Sequence, residues 1–209
     1  MEKMFTTLFR NNLWLSSESV SGSGSSKEQT KWIIPQLEKI IEAFDVKTIL
    51  DAPCGDYNWM RFVSFPIDLN YIGCDIVKEL IEQTRLRYGS DKVKFIQGDI
   101  CTNKLPKSDL IFCRDCLVHL SYEDIKRAIK NFKESGSTYL LTTTFTNRTH
   151  NSESVLINAN EGLCGWQPIN LRIAPFNFPE PILVLNEKCS EGGTVYADKS
   201  LGLWKLSDL

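Results

Sequence analysis

The sequence predicts an α/β protein built around a parallel sheet, and three observations point there. Short apolar runs alternate with helical stretches of ten or so residues between Lys31 and Phe145, the order expected of parallel strands joined by right-handed crossovers. The runs are continuously apolar rather than alternating, as strands covered on both faces must be. Each of the first four ends at, or just before, an aspartate: Asp51, Asp75, Asp99 and Asp115.

The N-terminal region has no long period. Trp14 and Leu15 can pack a lead-in segment, and SVSGSGSSKEQT from Ser19 to Thr30 suits a linker, a structured turn or a lid over a ligand. Residues 1–30 thus read as an N-terminal segment, and 31–209 as a single domain. A helix is expected over Lys31–Phe44, with Trp32, Leu37, Ile40, Ile41 and Phe44 as its apolar stripe. Val46–Leu50 makes the first strand, closing on Asp51 and the turn APCGDYN, with a second helix starting near Trp59. Strand Tyr71–Asp75, helix Val77–Tyr88 and strands Val93–Ile96 and Leu110–Cys113 follow. Ser121 can cap a helix over Tyr122–Phe132, with Asp124 three residues on and Gly136 as the stop. Thr138–Phe145, rich in β-branched and aromatic residues, is a fifth strand. Beyond it, Asn147–Pro181 is rich in Asn, Gly and Pro, and Ile182–Leu185 and Leu203–Leu206 read as short closing strands.

Composition narrows the function. A chain of 209 residues with 42% hydrophobic content suits one globular domain. The net charge of −2 and pI near 5.8 offer no general attraction for a phosphate backbone, which argues against a nucleic-acid partner. No stretch reads as a membrane span, and the start, interrupted by Arg10, does not read as a secretory signal. Seven cysteines, several falling with the predicted strands, suggest packed thiols in the cytoplasm rather than a disulfide framework. Cys113 and Cys116 form a lone CxxC without the second pair a zinc site needs, so no metal is expected.

The acids carry the functional signal, because open α/β sheets bind ligands beyond the carboxyl ends of their strands. Gly55 can let the chain approach a ligand, and amides opening the next helix can meet a polar group. Asp75 can accept both hydroxyls of a ribose; Asp99 can accept from an adenine amino group while Ile100 contacts the ring. Singly, each has a structural alternative as a turn glycine, a cap or a strand-end acid. Their coincidence in one βαβ sequence favours a ligand. DAPCGDYN lacks the repeated glycines of a dinucleotide fingerprint, and no GxxxxGK(S/T) motif is present.

Val46–Phe145 resembles the class I S-adenosylmethionine-dependent methyltransferases, through DAPCGDYNW, YIGCDI, VKFIQGD and DLIFCRDCLVHLSYEDI in order. The resemblance implies a Rossmann-like seven-stranded, mostly parallel sheet flanked by helices, with its last strand antiparallel. It implies S-adenosylmethionine as cofactor, with Asp51 and Gly55 on the methionine side, Asp75 at the ribose, and Asp99 and Ile100 at adenine. Arg114 and Asp115 fall where such proteins contact methionine or the acceptor. Pro53 and Tyr57 depart from the usual glycine-rich first loop. His119 matches a histidine often found near the start of the helix after the fourth strand. The SGSGS stretch and GLCGWQPINL resemble accessory parts of bacterial members that modify small molecules or surface sugars, and 146–181 reads as a substrate-side insertion.

Methyl transfer requires an acceptor lone pair aligned opposite the departing sulfur, with water excluded. Candidate bases are His119, His150 and Asp115; a histidine suits proton transfer near neutral pH. Tyr57, Trp59, Arg114, Asn147, Arg148 and Trp166 can shape the acceptor site, and Arg148 or Arg172 can attract a phosphate or carboxylate. The expected acceptor is an oxygen or nitrogen of a small polar metabolite, such as a sugar or surface-polysaccharide precursor. The alternatives are a nucleic-acid or protein methyltransferase and a non-catalytic cofactor-binding interaction module. A homodimer is compatible with this composition, and exposed tryptophans would support one.

Overall fold

The computed structural model describes residues 1–153 and 165–209. Seven strands form one sheet: β1 (Thr48–Asp51), β2 (Asn70–Asp75), β3 (Val93–Gln97), β4 (Leu110–Cys113), β5 (Tyr139–Phe145), β6 (Leu183–Asn186) and β7 (Lys199–Lys205), in the order β3-β2-β1-β4-β5-β7-β6. The pairs β1–β2, β2–β3, β1–β4 and β4–β5 are parallel; β7 runs antiparallel to both β5 and β6. Among the described residues, five α-helices accompany them: α1 (Glu2–Arg10), α2 (Lys27–Thr30), α3 (Ile33–Ala43), α4 (Lys78–Tyr88) and α5 (Tyr122–Glu134).

Alternation along each strand divides the core between the two sheet faces. Ile49, Leu110 and Phe112 pack with Ile33, Leu37, Ile40 and Ile41 of α3, while Leu50, Ile111 and Cys113 pack with Ile125, Ala128, Ile129 and Phe132 of α5. The apolar spacing of each helix places one stripe on the sheet. Ser121 caps α5 by accepting from the Asp124 amide at 3.1 Å.

Four local expectations are corrected. The helix expected near Trp59 is a single 3-10 turn, Met60–Phe62, because Pro66 biases Phe65 away from helical backbone and β2 begins at Asn70. The helix expected over Lys31–Phe44 is α3, preceded by the unexpected short α2, and Trp32, assigned to the apolar stripe, is 54% exposed. The N-terminal region contains α1, whose Met4 and Leu8 lie one turn apart and are buried. The last strand starts at Lys199 rather than Leu203.

That earlier start is important for the site. Lys199 lies opposite Phe145, so the first residue of β7 shares the edge at which the parallel strands end. Within β7, a Cβ on Gly202 would sit 2.2 Å from the indole of Trp204, which is fully buried and donates to the Pro179 carbonyl at 2.9 Å. The ring cannot yield without repacking the core. Gly202→Ala is therefore expected to destabilise the fold by about 1–3 kcal/mol, measured as a lower midpoint in urea unfolding.

Candidate active site

Asp51, Gly55, Asp75, Asp99, Ile100 and Arg114 all line one cleft beyond the carboxyl ends of β1, β2 and β4. It encloses about 1090 Å³ including its open mouth. Asp115 and His119 line the same cleft; His150 does not, and lies exposed beyond β5.

The acids are not equivalent. Asp51 is buried and accepts from the Tyr71 hydroxyl; burial, only partly offset by that bond, pushes its carboxyl up to about 8. It is therefore protonated at neutral pH. Asp75 is also buried, and burial raises it to about 6 against the pull of the Val77, Gly55 and Ile76 amides. Its two oxygens accept separately, from Gly55 at 3.2 Å and Val77 at 2.9 Å, joining the loop after β1 to the start of α4. The Gly55 amide is thus taken by Asp75, and no helix follows to offer further amides to a ligand. Asp99 accepts from the Cys101 amide at 2.8 Å, turning the chain so that Ile100 faces the cleft beside Val77 and Leu80. These two ends suit a nucleoside: lone pairs for hydroxyls at Asp75, an apolar slot for a base at Ile100.

Past β4 lies a buried charge cluster whose far half the sequence reading missed. The Arg114 guanidinium donates twice to Glu187, at 2.8 and 3.1 Å, and to the Gly24 carbonyl at 2.9 Å. Lys199 donates to Asp115 at 2.6 Å and stands 3.4 Å from Glu187. Burial opposes all these charges, but Lys199 and Arg114 hold the Asp115 carboxyl well below the usual range, and the carboxylates keep both cations charged. Asp115 has a left-handed backbone, φ 52°, and its amide donates to Thr143. Lys199 is 84 residues from Asp115 in the chain, and no local pattern links them.

His119 ends a 3-10 turn over Leu117–His119 and packs 4.9 Å from the Trp14 ring. Its Nδ1 lies 2.8 Å from the Gly165 carbonyl, which can only accept, so Nδ1 carries the hydrogen and Nε2 the lone pair of the neutral ring. Burial lowers its pKa, against the Gly165 bond and Asp115, so the neutral ring prevails at neutral pH.

The N-terminal segment covers the cleft. Ser19 and Val20 donate to Asp56 at 2.9 and 3.0 Å, and the Asp56 amide donates to Ser21 at 3.1 Å. Gly55 has φ 54°, and a Cβ there would sit 2.2 Å from Ser21 Oγ, so this glycine admits the strap as well as the turn. Phe5, Phe9 and Trp14 add an aromatic wall to the cleft. Of the acceptor-side residues, Tyr57 and Trp59 are buried, and Arg114 stands 5.7 Å from the Trp59 ring. Trp166 packs edge-to-face against Tyr196 and Phe145, while Arg172 pairs with Glu180 at the surface. GLCGWQPINL begins outside the described residues, as do residues 154–164 of the 146–181 segment. Among the described residues no cluster could hold a metal ion, no helix is long and apolar enough to cross a membrane, and Cys113 and Cys116 are free thiols.

Residues 49–135 match the family described as a methyltransferase domain. Among solved structures, the N-methyltransferase NodS from Bradyrhizobium japonicum WM9, in complex with S-adenosyl-L-homocysteine, aligns at a TM-score of 0.66 and 11% identity, over 95% of this chain and 97% of that one. The PH0226 protein from Pyrococcus horikoshii OT3 aligns at 0.60 and 15%, over 88% and 93%. Human N-acetylserotonin methyltransferase in complex with S-adenosylmethionine aligns at 0.54 and 11%, over 97% and 66%. The chain spans 66% of the bacterial CtHen1 methyltransferase domain, another match, at a TM-score of 0.49. No curated protein matches it. Residues 49–135 are thus similar to a methyltransferase domain, and they form part of the expected seven-stranded sheet with β7 antiparallel.

Two outcomes are expected from this geometry. Asp75→Ala removes the acceptors for a ribose and should abolish measurable S-adenosylhomocysteine binding in calorimetric titration; unchanged affinity would remove Asp75 from the site. Asp75 is raised to about 6, so its charged form predominates above that pH and is lost below it. Affinity of the wild type should therefore fall as pH drops through 6, by up to about tenfold per unit, and a flat profile from pH 5 to 8 would contradict the assignment.

Proposed function

We propose that the protein transfers the methyl group of S-adenosylmethionine to an oxygen or nitrogen of a small polar acceptor, in the cytoplasm. The observation that carries this reading is the sharing of one covered cleft by the nucleoside-binding acids and by His119, a neutral imidazole with its lone pair on Nε2. When bound, the cofactor supplies a methyl carbon already activated by the adjacent sulfonium. Asp75 holds the ribose, and Ile100 with Val77, Leu80 and Phe5 encloses the base. The strap and α1 keep water from the reacting atoms. His119 Nε2 takes the proton from an acceptor hydroxyl or amine as it attacks, and the Asp115 carboxylate stabilises the resulting imidazolium. Asp115 is a poor proton acceptor itself, because Lys199 and Arg114 hold it ionised. His150 lies outside the cleft and takes no part.

A sugar or surface-polysaccharide precursor is the acceptor class we favour; Asn147, Asn151 and Asn170 gather polar groups beyond β5. A nucleic-acid acceptor is disfavoured by the net charge of −2 and by the strap across the cleft. The test is labelled-methyl transfer to hydroxylated sugars, phosphorylated metabolites and small amines. His119→Gln should slow transfer to a hydroxyl by about 10²–10⁴-fold while S-adenosylhomocysteine affinity stays within a few-fold. A variant as fast as wild type would place proton removal elsewhere. Tight cofactor binding with every acceptor unlabelled would favour the non-catalytic module.

A further inference from the structure

A second surface, away from the cleft, interleaves cations with aromatic rings. Lys27 of α2 lies over the Phe62 ring, 5.2 Å from its centroid, and Arg61 lies over the same ring at 4.7 Å. Arg61 reaches on to Tyr88, 5.8 Å from that ring, and donates to its hydroxyl at 3.2 Å. Arg87 lies over Tyr88 at 5.1 Å. One turn beyond Lys27, Lys31 stands 5.9 Å from the Trp32 ring. The junction of α2 with α3, the 3-10 turn over Met60–Phe62 and the end of α4 thus meet in one patch. None of these side chains lines the cleft.

The charges are not spent within the protein. Lys31 pairs with Glu28, but Lys27, Arg61 and Arg87 have no carboxylate partner among the described residues. Glu18 and Glu38 approach the same elements, yet they accept from the Lys27 and Ser64 amides rather than from a cation. Arg61 is further fixed by the Asn58 carbonyl at 2.9 Å, so the patch is held in place before any partner arrives. Beside these cations Trp32 is 54% and Phe62 46% exposed. Unpaired cations next to exposed aromatic rings suit a headgroup layer, where cations meet phosphates and rings enter the apolar boundary. A single-stranded nucleic acid needs bare rings on which bases stack. Phe62 and Tyr88 each already carry two cations, which leaves no such platform.

We propose that this face docks the protein on an anionic lipid surface, with Lys27, Arg61 and Arg87 on headgroup phosphates and Trp32 and Phe62 in the headgroup boundary. The contact is peripheral, since among the described residues no helix is long and apolar enough to cross a membrane. It goes beyond the methyl-transfer reading and does not rest on it. The test is co-sedimentation of the full chain with vesicles of phosphatidylglycerol and phosphatidylcholine in equal parts, beside vesicles of phosphatidylcholine alone. The wild type should pellet with the anionic vesicles only, and raised salt should release it. Lys27→Gln with Arg87→Gln should weaken that binding at least about tenfold, and Trp32→Ala several-fold, with the thermal midpoint unchanged. Lys27→Arg with Arg87→Lys, which keeps the charges, should bind as the wild type does. No binding to the anionic vesicles, equal binding to both kinds, or a charge-neutralised variant as tight as wild type would overturn the proposal. Displacement of the vesicles by single-stranded oligothymidylate would give the face to nucleic acid, and would overturn it too.

Discussion

A carboxyl group taken out of water must keep its proton, find donors or find a cation, and the edge of this sheet depends on meeting that demand three times. Asp51 keeps its proton and accepts a hydrogen bond from Tyr71. Asp75 lies on the amides of Gly55 and Val77, and Asp115 on Lys199 and Arg114. Each solution also fixes chain geometry: Tyr71 ties β2 to β1, Asp75 ties the first loop to α4, and Asp115 ties β4 to β7. The acids that a ligand would meet are therefore the same groups that hold the loops around it. Preorganisation and binding chemistry cannot be separated at this edge.

The sequence made the parallel core legible because burial on both faces leaves little choice of residue in β1, β2, β4 and β5, and because polar chemistry can begin only where those strands end. Asp51, Asp75 and Asp99 were readable for that reason. Lys199 and Glu187 were not, since their partners are distant in the chain and a lysine beside an apolar run ordinarily marks a strand end at the surface. The missing helix after Trp59 shows a different limit. The alternation of strands and helices led to a helix there, while Pro66 and the short path to Asn70 left room for one turn only. In α1 only Met4 and Leu8 face the core, too few to make a periodic signal.

The N-terminal strap changes how its composition should be understood. A run such as SVSGSGSS suggests a flexible linker, yet here small side chains serve close approach. A Cβ on Gly24 would stand 3.0 Å from Asp115 Oδ2, and Ser21 occupies the space a side chain at position 55 would need. Ser19 and Ser21 also supply hydroxyls, and Val20 an amide, that Asp56 collects. Larger residues would hold the strap away from Arg114 and let water reach the charge quartet, where hydration would weaken each ion pair.

The site is consequently assembled from two sources. Residues between β1 and α5 supply Asp51, Asp75 and Asp99 to the cleft, on a scaffold shared with distant proteins. Residues outside that span, from Trp14 and Gly24 at one end to Glu187 and Lys199 at the other, close the cleft and set the charge around Arg114 and Asp115. A change in the strap or in β7 can then alter that charge cluster while Asp75 keeps its contacts to Gly55 and Val77. The His119 tautomer follows the same logic, because it is held by Gly165, beyond β5, rather than by any neighbour within its own turn. The hydrogen-bonding state of His119 therefore depends on packing of the late chain against the early half.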